Sequence, residues 1–65
     1  MRRFQVIFVR VDGLNEIDLD NGYGLDADTL EEAEGEALQM GPPNGANFIK
    51  ILDEGRVVKR LGIGL

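Results

Sequence analysis

Residues 3–11, Arg-Phe-Gln-Val-Ile-Phe-Val-Arg-Val, constrain this chain more than any other stretch. The run is rich in β-branched and aromatic residues and contains no Gly or Pro, so it reads as a strand. Successive side chains of a strand point to opposite faces. Phe4, Val6 and Phe8 therefore share one face, and Ile7, Val9 and Val11 share the other. A sheet built on this strand is apolar on both sides, and a covering layer is needed twice.

The remaining sequence offers one helix for that task. Thr29-Leu30-Glu31-Glu32 is a capping box, in which the Thr hydroxyl accepts from a free backbone N–H at the helix start. Leu30, Ala33, Ala37 and Met40 then recur at helical spacing. Gly41-Pro42-Pro43 stops the helix, because Gly suits the C-cap and Pro cannot easily follow helical residues. A stripe of one Leu, two Ala and one Met is too narrow to cover two faces.

Turn residues divide the other segments. Asp12-Gly13 is a hairpin signal after the first strand. Beyond it, either Leu14, Ile17 and Leu19 lie on a second strand, or a strand runs near Tyr23–Asp26. Residues 47–52 read as a strand, Asp53-Glu54-Gly55 as a type I turn closed by a left-handed Gly, and Arg56 to about Ile63 as the last strand. The order is β-β-α-β-β. It predicts an α+β fold with an antiparallel sheet of three to four strands and one helix packed on one face. No linker, repeat or low-complexity run divides the chain, so residues 1–65 are read as one small domain.

All three Phe residues have even numbers, as do Arg10, Lys50 and Arg60. A register that keeps them together gives a face of Phe4, Phe8, Arg10, Phe48, Lys50 and Arg60, which is the candidate interface. Large exposed apolar patches mark contacts with other proteins, so self-association or a protein partner is expected there. The same face has a second reading, as a platform where aromatics stack on single-stranded nucleic acid and cations meet phosphates. The acidic net charge of −5 makes nucleic acid the weaker expectation. The other arrangement puts the Phe face under the helix and leaves the Ile/Val face bare.

Charge is segregated along the chain. Residues 1–11 carry +3, residues 12–36 carry −10 with no base, and residues 37–65 carry +2. The helix has four Glu and no Lys or Arg, which reads as a solvated face or as a surface for a basic partner. Asp18, Asp20, Asp26 and Asp28 flank a Gly-rich turn, which raises calcium binding by the 18–28 loop as a further alternative. An EF-hand starting at Asp18 fails, since Tyr23 falls where Gly is required. Ordinary turn chemistry accounts for these acids, and neither a metal nor a cofactor is expected.

The missing residue types exclude much chemistry. The sequence has no Cys, His or Ser, so thiolate and serine nucleophiles, imidazole bases and zinc-thiolate clusters are all absent. The expectation is a protein that is not an enzyme. A small domain without disulfides suits a reducing cytoplasm, and the apolar run after Met1 is too short to span a bilayer.

Val11-Asp12-Gly13, the capped acidic helix from Thr29 to Ala37, and the hairpin Leu52-Asp53-Glu54-Gly55-Arg56-Val57-Val58 together resemble short alphaproteobacterial proteins of a family of unknown function. That resemblance implies a bacterial origin and the same small α+β fold. It departs in the longer acidic stretch between Asp12 and Asp28.

Overall fold

The first strand, β1 (Arg2–Asp12), organises the molecule. Eleven residues at about 3.3 Å each make it roughly 36 Å long, and the longest extent of the protein is 35 Å. The computed structural model describes residues 2–20 and 22–63. The other elements among them are β2 (Asn15–Asp18), β3 (Tyr23–Ala27), α1 (Leu30–Gln39), β4 (Phe48–Asp53) and β5 (Arg56–Gly62). The fold is α+β with an antiparallel sheet, as expected, but it has five strands in the order β-β-β-α-β-β.

The extra strand resolves the two alternatives for the segment after the first turn, since both are strands. β2 pairs with the C-terminal part of β1, from Val9↔Asp18 to Asp12↔Asn15. β3 pairs with its N-terminal part, from Arg2↔Ala27 to Val6↔Tyr23. One edge of a long strand is thus filled by two short ones, end to end. β4 pairs with the opposite edge of β1, and β5 with β4.

Both hairpin loops differ from the sequence reading, the first in position and the second in length. Asp12 pairs with Asn15, so the first loop is Gly13-Leu14 rather than Asp12-Gly13. Gly13 takes φ 63° at its first position, and Glu54 alone among the described non-Gly residues has positive φ, which makes this a type II′ turn. Asp53 pairs with Arg56 across Glu54-Gly55. Both loop residues have positive φ, 53° and 81°. That is a two-residue type I′ turn, whose twist matches the strands, in place of the type I turn expected.

The helix forms where the capping box places it. Thr29 Oγ1 accepts from the Glu32 N–H at 3.2 Å. Ala33 and Ala37 are fully buried against the sheet, and their small size lets the helix approach Phe4, Val6, Phe8, Leu25, Ile49 and Ile51. The chain then returns through Asn47, whose carboxamide accepts from the Val11 N–H at 2.7 Å and donates to the Val11 carbonyl at 2.8 Å. This side chain takes the part of a strand residue and extends the sheet past the end of β4.

The far face is not left open. Val9 is wholly buried there although no layer covers it. Lys50 and Arg60 reach over it from β4 and β5 to Asp18 and Glu16 of β2. Long charged side chains shield apolar surface with their stems while their heads stay near water. The total accessible surface is 4290 Å². A folded monomer of 7.2 kDa is expected to expose about 4,100 Å². At the centre of the second face Val9 is thus covered by neighbouring side chains, while Val57 near its edge stays 48% exposed.

Candidate functional site

The six residues of the sequence-derived interface do not share a face. Phe8 pairs with Ile49, so even positions of β1 match odd positions of β4. Phe4 and Phe8 are buried beneath the helix. Phe48, Lys50 and Arg60 lie on the opposite face, beside Val9 and Ile7. Arg10 is on the helix side and donates to the Gly45 carbonyl at 3.1 Å. The combined aromatic and basic platform is thus divided by the sheet, and with it the surface on which stacking of nucleic-acid bases was based.

Folding also consumes the basic ends of the sequence. Arg2 pairs with Asp53 and Arg3 with Asp26. Lys50 lies 3.0 Å from Asp18 and 3.5 Å from Glu16. Arg60 pairs with Glu16, and Lys59 is 3.8 Å from Glu34. Of the seven cations only Arg56 has no partner among the described residues. Asp18 and Asp26 are spent on these pairs, and Asp20 accepts from the Gly22 N–H at 3.0 Å as a turn residue. No group of three or more acids that could hold a metal is found among the described residues.

Lys50 holds its proton more tightly than a free amine. Its hydrogen bond to Asp18 raises its pKa above the ordinary 10.5; charge attraction from Asp18 and Glu16 adds to the rise, while burial opposes it. A raised folded-state value stabilises fully below about 10.5, and that stability fades as pH climbs through the folded value. Thermal melts of the natural protein and of Lys50→Met should differ by a constant amount from neutral pH to about pH 10. The difference should shrink above that, and a difference that grows with alkaline pH would contradict this reading.

The helix side holds the larger uncovered apolar surface. Ten helical residues span only about 15 Å of a sheet more than twice as long. Ile17 lies opposite Arg10 and Tyr23 opposite Val6, so both face the helix side. Leu19 follows, with its N–H donating to the Phe8 carbonyl at 2.9 Å. Together with Met40 these four are between 37% and 54% exposed. A hollow of about 290 Å³ lies among Phe8, Tyr23, Met40 and Gly41, where the helix stops. Tyr23 stands edge-on to Phe8, with ring centroids 5.9 Å apart.

The two flanks of the helix carry different side chains. With Ala33 and Ala37 on the sheet, Glu34 points to β5, where it meets Lys59. Glu32, Glu36 and Met40, spaced four apart, form a row along the other flank, toward β3. The hollow itself is bounded by Phe8 and Tyr23 of the sheet and by Met40 and Gly41 at the helix end, while Leu25 and Ala27 farther along β3 are buried in the core with Ala33 and Ala37.

A second hollow, of about 440 Å³, runs along Arg3, Gln5, Gly24, Leu52 and Gly55 and is broadly open. Its cation, Arg3, is already tied to Asp26 at 3.3 Å. Among the described residues no helix is long and apolar enough to cross a membrane. Comparison with protein-family models, with curated proteins and with solved structures finds no match.

Proposed function

We propose that this chain is a non-enzymatic, cytoplasmic protein-interaction module, and that its docking surface is the hollow between Tyr23 of β3 and Met40 at the end of α1. The observation that carries this reading is a hollow at the helix end lined by the exposed Tyr23 and Met40, with Ile17 and Leu19 also exposed on the same face of the sheet. Exposed apolar residues scattered singly need no explanation, whereas a contiguous set beside a concavity marks a contact surface. The far face supports the reading by contrast, because its central Val9 is already buried by ion pairs.

The test uses peptides selected from a display library unbiased in charge. Selected peptides should shift the amide signals of residues 17–19, 23–27 and 36–41. The double substitution Leu19→Ser and Met40→Ser should weaken them about tenfold, roughly 1.4 kcal/mol, with the melting curve little changed. Peptides that seat on Ile7, Leu52 and Val57 instead, or a library that yields no ligand, would contradict the proposal.

A further inference from the structure

We propose that β2 is a flap that opens on its own while the rest of the fold stays closed, and that Glu16 and Asp18 fasten it across the second face of the sheet to Lys50 and Arg60. This device does not depend on the docking surface proposed above.

Apolar burial does not hold β2 in place. All four of its residues are exposed. Every other strand puts at least one residue into the apolar core or against it, as Phe4 does for β1, Leu25 for β3, Ile49 for β4 and Leu61 for β5. Ile17, the one apolar residue of β2, is 54% exposed, and Leu14 in the turn before it is fully exposed. β2 pairs with β1 alone, from Val9↔Asp18 to Asp12↔Asn15. A two-stranded ribbon is marginal in water by itself. Segments with little buried apolar surface open at a lower free energy than the whole domain.

Charge supplies the fastening. Glu16 and Asp18 stand opposite Val11 and Val9. They therefore share a face with Lys50, which is opposite Ile7, and with Arg60, which is opposite Lys50. β4 lies two lanes from β2 and β5 three, roughly 10 and 14 Å at the usual strand spacing, so only long side chains bridge them. Lys50 Nζ is 3.0 Å from Asp18 and 3.5 Å from Glu16, and the Arg60 guanidinium pairs with Glu16. Two cations from two strands thus converge on the carboxylates of a third, above a Val9 that is wholly buried. Partly exposed ion pairs are individually weak, but these three act together on a strand that little else retains. When β2 lifts, all three are lost at once, Val9 loses the neighbour opposite it, and the outer edge of β1 from Val9 to Asp12 is left without its ladder. A bare strand edge is a template for another strand, and the clasp keeps this one closed.

Amide hydrogen exchange of the free chain tests the flap. Residues 15–19 should exchange at least about tenfold faster, relative to their unfolded rates, than residues 25–27 and 49–51. Low urea, below the unfolding transition, should accelerate residues 49–51 and leave 15–19 nearly unchanged, because a local opening exposes little new surface. Glu16→Gln with Asp18→Asn should speed exchange of 15–19 a further three- to tenfold, about what the loss of three weak pairs allows, and change 49–51 less than twofold. Glu31→Gln with Glu36→Gln alters net charge equally, at exposed helix positions away from the clasp, and should leave 15–19 as they were. Equal protection and equal urea dependence in 15–19 and 49–51 would mean that β2 opens only with the whole fold, which overturns the proposal. So would a clasp variant that leaves 15–19 unchanged, one that lowers both regions alike or fails to fold, or a helix variant that matches its effect.

Discussion

Replacing Phe8 by Ala should cost about 3–5 kcal/mol, whereas the same change at Phe48 should cost about 1–2 kcal/mol. Phe8 is 2% exposed and packs among Val6, Ile49, Ala37 and their neighbours under the helix. Its loss removes a full aromatic side chain, leaves a cavity, and breaks the edge-on contact with Tyr23. Phe48 is half-buried on the far face, where its ring lies over Gly62, so solvent already takes part of its surface. A domain of this length is stable by roughly 3–10 kcal/mol in all. Phe8→Ala should therefore leave much of the population unfolded in buffer, while Phe48→Ala shows a complete urea transition at a lowered midpoint. Equal losses at the two positions would mean that they share a face, and the register Phe8↔Ile49 would be wrong.

Filling the helix–sheet interface should be the second large effect. Ala37→Leu should destabilise by about 1–3 kcal/mol, even though Leu is a good helix former and more apolar. Ala37 is fully buried where the helix rests on the sheet. Three added heavy atoms have no space there and must lift the helix or shift the strands. The next residue provides the control. Leu38 is 52% exposed, and Leu38→Ala should change stability by no more than about 0.5 kcal/mol. Thermal melts with near-ultraviolet dichroism of Tyr23 check both, since a lifted helix also alters the Tyr23–Met40 hollow. A stabilised Ala37→Leu would show that the helix stands farther from the sheet than described.

The sequence made some of this legible and concealed the rest for specific reasons. Local signals were sufficient for β1, α1, β4 and β5. The β-branched run, the Thr29 cap, the Gly41-Pro42 stop and the Gly55 turn each act within a few residues. The segment from Leu14 to Ala27 was ambiguous because neither half is long enough to pair with all of β1. Its two pieces are strands only because an eleven-residue partner has room for both. The shared parity of Phe4, Phe8 and Phe48 was misleading for a different reason. Parity fixes facing within a strand, but the pairing of Phe8 with Ile49 exchanges even for odd between strands.

The candidate surface was harder still to foresee. Ile17, Leu19, Tyr23 and Met40 come from three elements, and their exposure depends on where the helix ends over the sheet. The charge segregation, by contrast, was plain in the sequence, but its meaning changed on folding. The basic ends fold back onto the acidic middle, as Arg3 with Asp26 and Lys50 with Asp18 show. What remains at the surface is the acidic side of the helix, where Glu31, Glu32 and Glu36 have no cation partner among the described residues, next to the Tyr23–Met40 hollow.

Amide hydrogen exchange of the complex with a peptide selected from the charge-unbiased library tests the central claim most directly. A peptide seated at the Tyr23–Met40 hollow should slow exchange in residues 22–28, together with the helix end at 36–41, and leave β5 unchanged. Protection confined to residues 56–62 of β5, or to the Ile7–Leu52 face, with none on β3, would contradict the account.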